Sequence, residues 1–254
     1  MMIIDGHVHC GVQDLDPPQD YETIAAMHRA CGIEGAGMFP PVMEVYDRHD
    51  PSFTDTAEWQ ARRARANRYL LDLGRRQITP KVYPLLFVWN DFRADELDRG
   101  YVGIKWHRHA NEPRYHYDSP ACKAMINAIR ERGLPILLEE ELQYTVKFVR
   151  EWAPDCRILI PHTGNLNGGY AALKAAGVWG LPNVFTDSSG GLSTEAIQEY
   201  VDDSGTERLV FGSDYPFCTP ARSLEKLSAV RMGDRDRKEV LSANFLRFIA
   251  RKDS

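Results

Sequence analysis

Met2-Ile3-Ile4-Asp5-Gly6-His7-Val8-His9 reads as a short apolar strand that ends in His-x-His. Residues i and i+2 of a β-strand share a face, so the rings of His7 and His9 converge. Imidazole nitrogens suit zinc, iron, nickel and similar ions, which makes His7 and His9 a candidate metal pair. Two histidines at this spacing also occur as a hydrogen-bonded core pair. The rest of the chain decides between these readings.

Outward from this strand one grammar recurs: a short apolar run, a loop, then an amphipathic stretch. The apolar runs are 2–6, 33–39, 81–88, 101–106, 134–138, 157–160, 183–186 and 208–211. Helix-like segments lie between them at 20–30, 54–76, 122–132, 144–152, 170–176, 194–202 and 220–230. A last helix over 235–250 carries Val240, Leu241, Phe245, Phe248 and Ile249 at helical spacing. Alternation of this kind implies parallel βαβ units. Eight of them predict an α/β fold, a (β/α)8 TIM barrel forming a single domain over 1–254. A doubly wound sheet would carry Gly-x-Gly-x-x-Gly after the first strand, where metal-ligand residue types stand instead. The long segment 54–76 is rich in arginine and is read as a solvated barrel helix.

Composition narrows the partners. The chain has 254 residues, 43% hydrophobic and 26% charged, with a formal net charge of −5, an ordinary globular profile. That balance gives no attraction to nucleic acid or to an anionic membrane. No apolar run is long enough for a transmembrane helix, and no basic-then-apolar leader pattern is expected. Cys10, Cys31, Cys122, Cys156 and Cys218 are odd in number, without a Cys-x-x-Cys pair, and read as free thiols in a reducing cytoplasm. The expected partner is a small-molecule substrate; whether the chain forms a homo-oligomer is left open.

In a barrel the active site lies at the C-terminal strand ends. Those ends carry His7 and His9, Lys105-Trp106-His107-Arg108-His109, Glu139-Glu140-Glu141, His162, Asp187 and Asp214. Distant segments thus bring metal-binding and acid–base side chains to one rim.

These residues carry a family resemblance. Asp5-Gly6-His7-Val8-His9, Val102-Gly103-Ile104-Lys105, Ile160-Pro161-His162-Thr163-Gly164 and Phe211-Gly212-Ser213-Asp214-Tyr215-Pro216 resemble motifs of the amidohydrolase superfamily, as does Leu241-Ser242-Ala243-Asn244-Phe245. The resemblance is to the branch of aminocarboxymuconate-semialdehyde decarboxylase and small lactonases, and covers nearly the whole chain. It implies one divalent metal ion, zinc first and manganese as the alternative, on His7, His9, Glu139 and Asp214. Asp214 doubles as proton acceptor and His162 is the second catalytic residue. The implied activity is hydrolysis of an ester, lactone or amide by metal-activated water. The alternatives are a lyase acting on an unsaturated carboxylic acid, by decarboxylation or hydration, and a barrel that only binds a ligand.

One position departs from the pattern. The branch usually has Pro-x-x-x-His at the end of strand five, whereas here Pro135-Ile136-Leu137-Leu138 is followed by Glu139. A carboxylate is a competent ligand, and its charge would tilt the site toward manganese by making the ion less electropositive. Glu141 shares the strand parity of Glu139 and is the alternative ligand; Glu140 is expected to point away. Lys105, Trp106, His107 and Arg108 are assigned to substrate binding, with Arg108, His109 and Arg114 suited to a carboxylate. Specificity is placed in loops 42–52 and 109–118.

Overall fold

The computed structural model describes residues 2–12 and 19–251. Eight parallel strands follow in chain order: β1 (Ile4–His9), β2 (Gly35–Phe39), β3 (Lys81–Phe87), β4 (Gly103–His107), β5 (Ile136–Glu139), β6 (Ile158–Ile160), β7 (Val184–Asp187) and β8 (Leu209–Val210). Every expected apolar run overlaps one of them. The molecule is a (β/α)8 barrel, as the alternation predicts.

The helices are α1 (Tyr21–Ala30), α2 (Ala57–Gly74), α3 (Pro120–Glu131), α4 (Leu142–Lys147), α5 (Tyr170–Ala175), α6 (Thr194–Ser204), α7 (Pro220–Ala229), α8 (Asp234–Lys238) and α9 (Asn244–Ile249). Five start at a polar N-cap whose side chain accepts a backbone N–H of the first turn: Asp20, Thr56, Ser119, Ser193 and Thr219. The segments expected at 144–152 and 235–250 each contain a π turn, Phe148–Trp152 after α4 and Glu239–Ala243 between α8 and α9. In α2 the solvated reading fails for one of the arginines. Arg63 is buried, donating to the Val45 carbonyl at 2.7 Å and to Asp55 at 2.7 Å, with Asp91 3.0 Å away.

Two local features at the seam position the site. Pairing of β1 with β2 slips by one residue between Asp5 and Val8. Asp5 consequently leaves the barrel and faces His28 of α1 at 3.2 Å, while His7 and His9 turn inward. At the other side of the seam β8 is short, but the chain beyond it stays beside β1. Gly6 N–H donates to the Phe211 carbonyl (2.8 Å), Asp214 N–H to that of His7 (2.8 Å) and His9 N–H to that of Tyr215 (3.1 Å). Closure of the barrel therefore sets Asp214 against both histidines. Gly6 is required there, because a Cβ would lie 2.6 Å from Val210 Cγ1.

The apolar core fills the layer between strands and helices. Asn244 at the start of α9 donates to the carbonyls of Thr206 (2.7 Å) and Leu209 (2.6 Å) and ties the last helix to β8. All five cysteines are free thiols. Among the described residues no helix is long and apolar enough to cross a membrane.

Candidate metal and acid–base centre

His7 and His9 end β1, and their Nε2 atoms lie 3.4 and 3.2 Å from Asp214 Oδ1. The three donor atoms lie within 4.8 Å of one another and all three side chains are buried. Burial first, then the nearby Lys105 ammonium, lowers the pKa of both histidines and keeps their nitrogen lone pairs free. The His7 tautomer is set from behind: Nδ1 donates to Asp187 Oδ2 at 2.8 Å, leaving Nε2 for a ligand. Two imidazoles and a carboxylate with outward-facing lone pairs fit one divalent cation.

Asp214 faces two ways. Oδ1 meets the histidines of β1, and Oδ2 lies 3.8 Å from Nε2 of His162. Burial raises the Asp214 pKa, partly offset by His162 and His7. For His162 burial acts downward, but the carboxylates of Asp214, Glu139 and Asp187 outweigh it and raise its pKa. His162 Nδ1 donates to Ser189 Oγ at 2.8 Å, and that hydroxyl in turn donates a hydrogen bond to Asp187 Oδ1. One buried carboxylate thus orients both His7 and His162. His162 and Asp214 are also held at positive φ (55° and 61°), a region that non-glycine residues rarely occupy.

Glu139 lies on the opposite flank, grouped with His7 and His162. Lys105 Nζ donates to its Oε2 at 2.9 Å and lies 3.4 Å from His7 Nε2. Nε2 of His109 donates to Glu139 Oε1 at 2.6 Å. That tautomer follows from Arg48, an obligate donor 3.1 Å from His109 Nδ1. Burial alone would raise the Glu139 pKa; Lys105 foremost holds it well below the ordinary range. Its negative charge is thus partly offset within the protein by Lys105.

Strand alternation sorts the substrate-binding assignments. Lys105 and His107 point into the barrel, the first beneath the donors and the second lining the cavity. Trp106 and Arg108 point out and do not line the chamber over the donors, against their assignment to substrate binding. Trp106 stacks on Tyr115 in the aromatic layer, and Arg108 is fully buried against Glu140 at 2.7 Å and against Glu141. Glu140 points away, as expected. Glu141 is no ligand alternative, since β5 ends at Glu139 and Glu141 turns to Arg108. Arg114 lies in a separate groove of about 790 Å³ beside Trp89 and outside the donor cluster. The chamber over the donors is smaller, about 270 Å³, and its walls include Arg48, His109 and Phe217.

Arg48 carries no local signal that marks it as a site residue, and the strand-end position of Asp187, with Ser189 just beyond it, does not disclose their roles in orienting His7 and His162. Arg48 reaches the rim from the loop after β2 and donates to Glu112 Oε1 at 2.8 Å through Nε. Glu112 also accepts from Tyr46 OH at 2.7 Å. Burial acts to raise the Glu112 pKa, but His107, His109 and Arg48 bring it down to about 2. A depressed carboxylate pKa contributes stability above its unfolded value, and that stability fades as pH falls from about 4.5 toward 2. Glu112→Gln is therefore expected to lose stability at pH 7 and to show a flatter pH dependence in that window, measured by urea unfolding. An unchanged profile would exclude the charged cluster as its origin.

The comparisons agree with this architecture. The solved 2,6-dihydroxybenzoate decarboxylase from Rhizobium superimposes with a TM-score of 0.74 at 16% identity, covering 97% of this chain and 98% of that one. A protein described as a 2-pyrone-4,6-dicarboxylic acid hydrolase from Pseudomonas putida gives 0.71 at 17% identity, with 97% of each chain covered. The 5-carboxyvanillate decarboxylase from Novosphingobium aromaticivorans, solved with manganese and 4-hydroxy-3-methoxy-5-nitrobenzoic acid, gives 0.74 at 16%, covering 98% of this chain and 96% of that one. Among curated proteins no sequence match is found. At such identities the structures share the fold. The family model described as Amidohydrolase matches residues 4–249, from β1 through the last helix. With the strand-end motifs and the whole barrel inside that span, this chain belongs to the amidohydrolase family.

Proposed function

We propose that the barrel mouth binds one divalent cation on His7, His9 and Asp214 and hydrolyses an ester, lactone or amide bond of a small substrate. The observation that carries this reading is the two-sided placement of Asp214, between the Nε2 atoms of His7 and His9 and that of His162. A divalent cation at such a site supplies Lewis acidity and acidifies water. Asp214 Oδ2 accepts the proton of the attacking water. His162, held by Ser189, donates its Nε2 proton to the leaving group. Lys105 keeps Glu139 anionic, and Glu139 orients His109 at the rim. The manganese named for one structural neighbour supports a divalent ion. The offset between Lys105 and Glu139 makes zinc at least as suitable here. Free thiols fit a reducing cytoplasm.

The decarboxylases among the structural neighbours favour one rival, a lyase in which the same His162 protonates the carbanion left when CO₂ departs. Apo protein reconstituted separately with zinc and manganese distinguishes them on a panel of lactones, esters, amides and hydroxybenzoic acids. Hydrolysed acid without CO₂ is the expected product. Release of CO₂ without bond hydrolysis would replace this reading with the lyase, and an absence of both bound metal and turnover would leave a ligand-binding barrel.

A further inference from the structure

The chamber over the donors opens into a second space. An outer vestibule of about 630 Å³ shares Arg48, His109, Asn165, Leu166 and Phe217 with the inner chamber, and Met43 extends it outward. Five large apolar side chains are exposed among the described residues, and two of them meet at this junction: Leu166 (42%) and Phe217 (48%). They arrive from different loops, after β6 and after β8, while single exposed apolar residues are usually scattered. Phe217 lines both spaces and stands edge-on to the His9 ring at 5.6 Å.

The charge at this junction argues for an apolar occupant. Arg48 is its permanent cation, and Glu112 and His109 already engage its guanidinium. A distal carboxylate would therefore meet no uncompensated arginine there, and Glu112 lies in the same wall. The junction offers apolar area that is stabilised when covered.

We propose that the vestibule is a subsite for an apolar distal group of the substrate, an alkyl chain or an aryl ring attached to the polar head that reacts in the inner chamber. This inference rests on the assignment of the inner chamber as the reacting site, but not on the bond cleaved there. Its test is a series of straight-chain hydroxamates, from acetohydroxamate to octanohydroxamate, titrated calorimetrically into zinc-loaded protein. Affinity is expected to rise about two- to fourfold per methylene and then level off once the chain clears the rim. Leu166→Ser and, separately, Phe217→Ser are expected to flatten that slope at unchanged metal content.

A flat series in the unsubstituted protein would overturn the proposal, as would a slope that survives both substitutions. So would a Leu166→Ser variant that abolishes self-association and leaves the slope intact, since the patch would then be a contact between copies. A rising series in a protein that hydrolyses nothing supports the subsite and removes only the hydrolytic reading. Hydrolysis with a flat series does the reverse.

Discussion

Asp214→Asn is expected to lower kcat/KM by about a hundred- to ten-thousand-fold on any substrate that the protein hydrolyses, the range for loss of a positioned general base. The substitution suits a clean test. Asn tolerates the left-handed backbone at φ 61° better than most residues. The Asp214 N–H bond to the His7 carbonyl, which closes the barrel, is untouched by the change. Thermal stability should therefore stay near that of the unsubstituted protein while both turnover and metal affinity fall. Activity within tenfold of the starting protein, at full metal occupancy, would remove Asp214 from the proton-accepting role and return attention to Glu139.

Lys105→Met addresses the other half of the centre and should be the most damaging single change to stability. The ammonium is fully buried, 2.9 Å from Glu139 Oε2, and lies 4.3 Å over the Phe39 ring. Its removal leaves a carboxylate that is 3% exposed and acts on Asp214, with Arg48 the permanent cation that still acts on it. Breaking a buried pair from one side costs about 3–5 kcal/mol. Urea unfolding of the metal-free protein should show that loss, and Lys105→Met combined with Glu139→Gln should recover most of it, the signature of a coupled pair. If the double variant is as unstable as the single one, the lysine acts by packing on Phe39 rather than by compensating charge. A bound cation should shrink the loss, so the metal-loaded and metal-free proteins are compared side by side.

These expectations show where local reading stops. The strands follow from short apolar runs, and five helices start at Asp, Ser or Thr caps. Both are written within a few residues of where they act. The alternation of side chains along a strand separates Lys105 and His107 from Trp106 and Arg108; assigning all four to substrate ignores it. Glu141 illustrates the limit of the rule. Its parity matches Glu139, but the strand has ended and the chain has turned toward Arg108.

By itself, the sequence determined the barrel, the rim on which the chemistry lies and the candidates His7, His9, Glu139, His162 and Asp214. Each of these is a residue type at a strand end, and strand ends are local. Only the tertiary structure decided which charge meets which. Lys105 and Glu139 are 34 positions apart, His7 and Lys105 98, and His7 and Asp187 180. No periodicity spans such separations. The slip in β1 that sends Asp5 outward and the bonds that draw the chain after β8 against His7 belong to closure of the ring as a whole. That closure sets the strand-five carboxylate Glu139 beside His7 and His162, with Lys105 and His109 bonded to its oxygens.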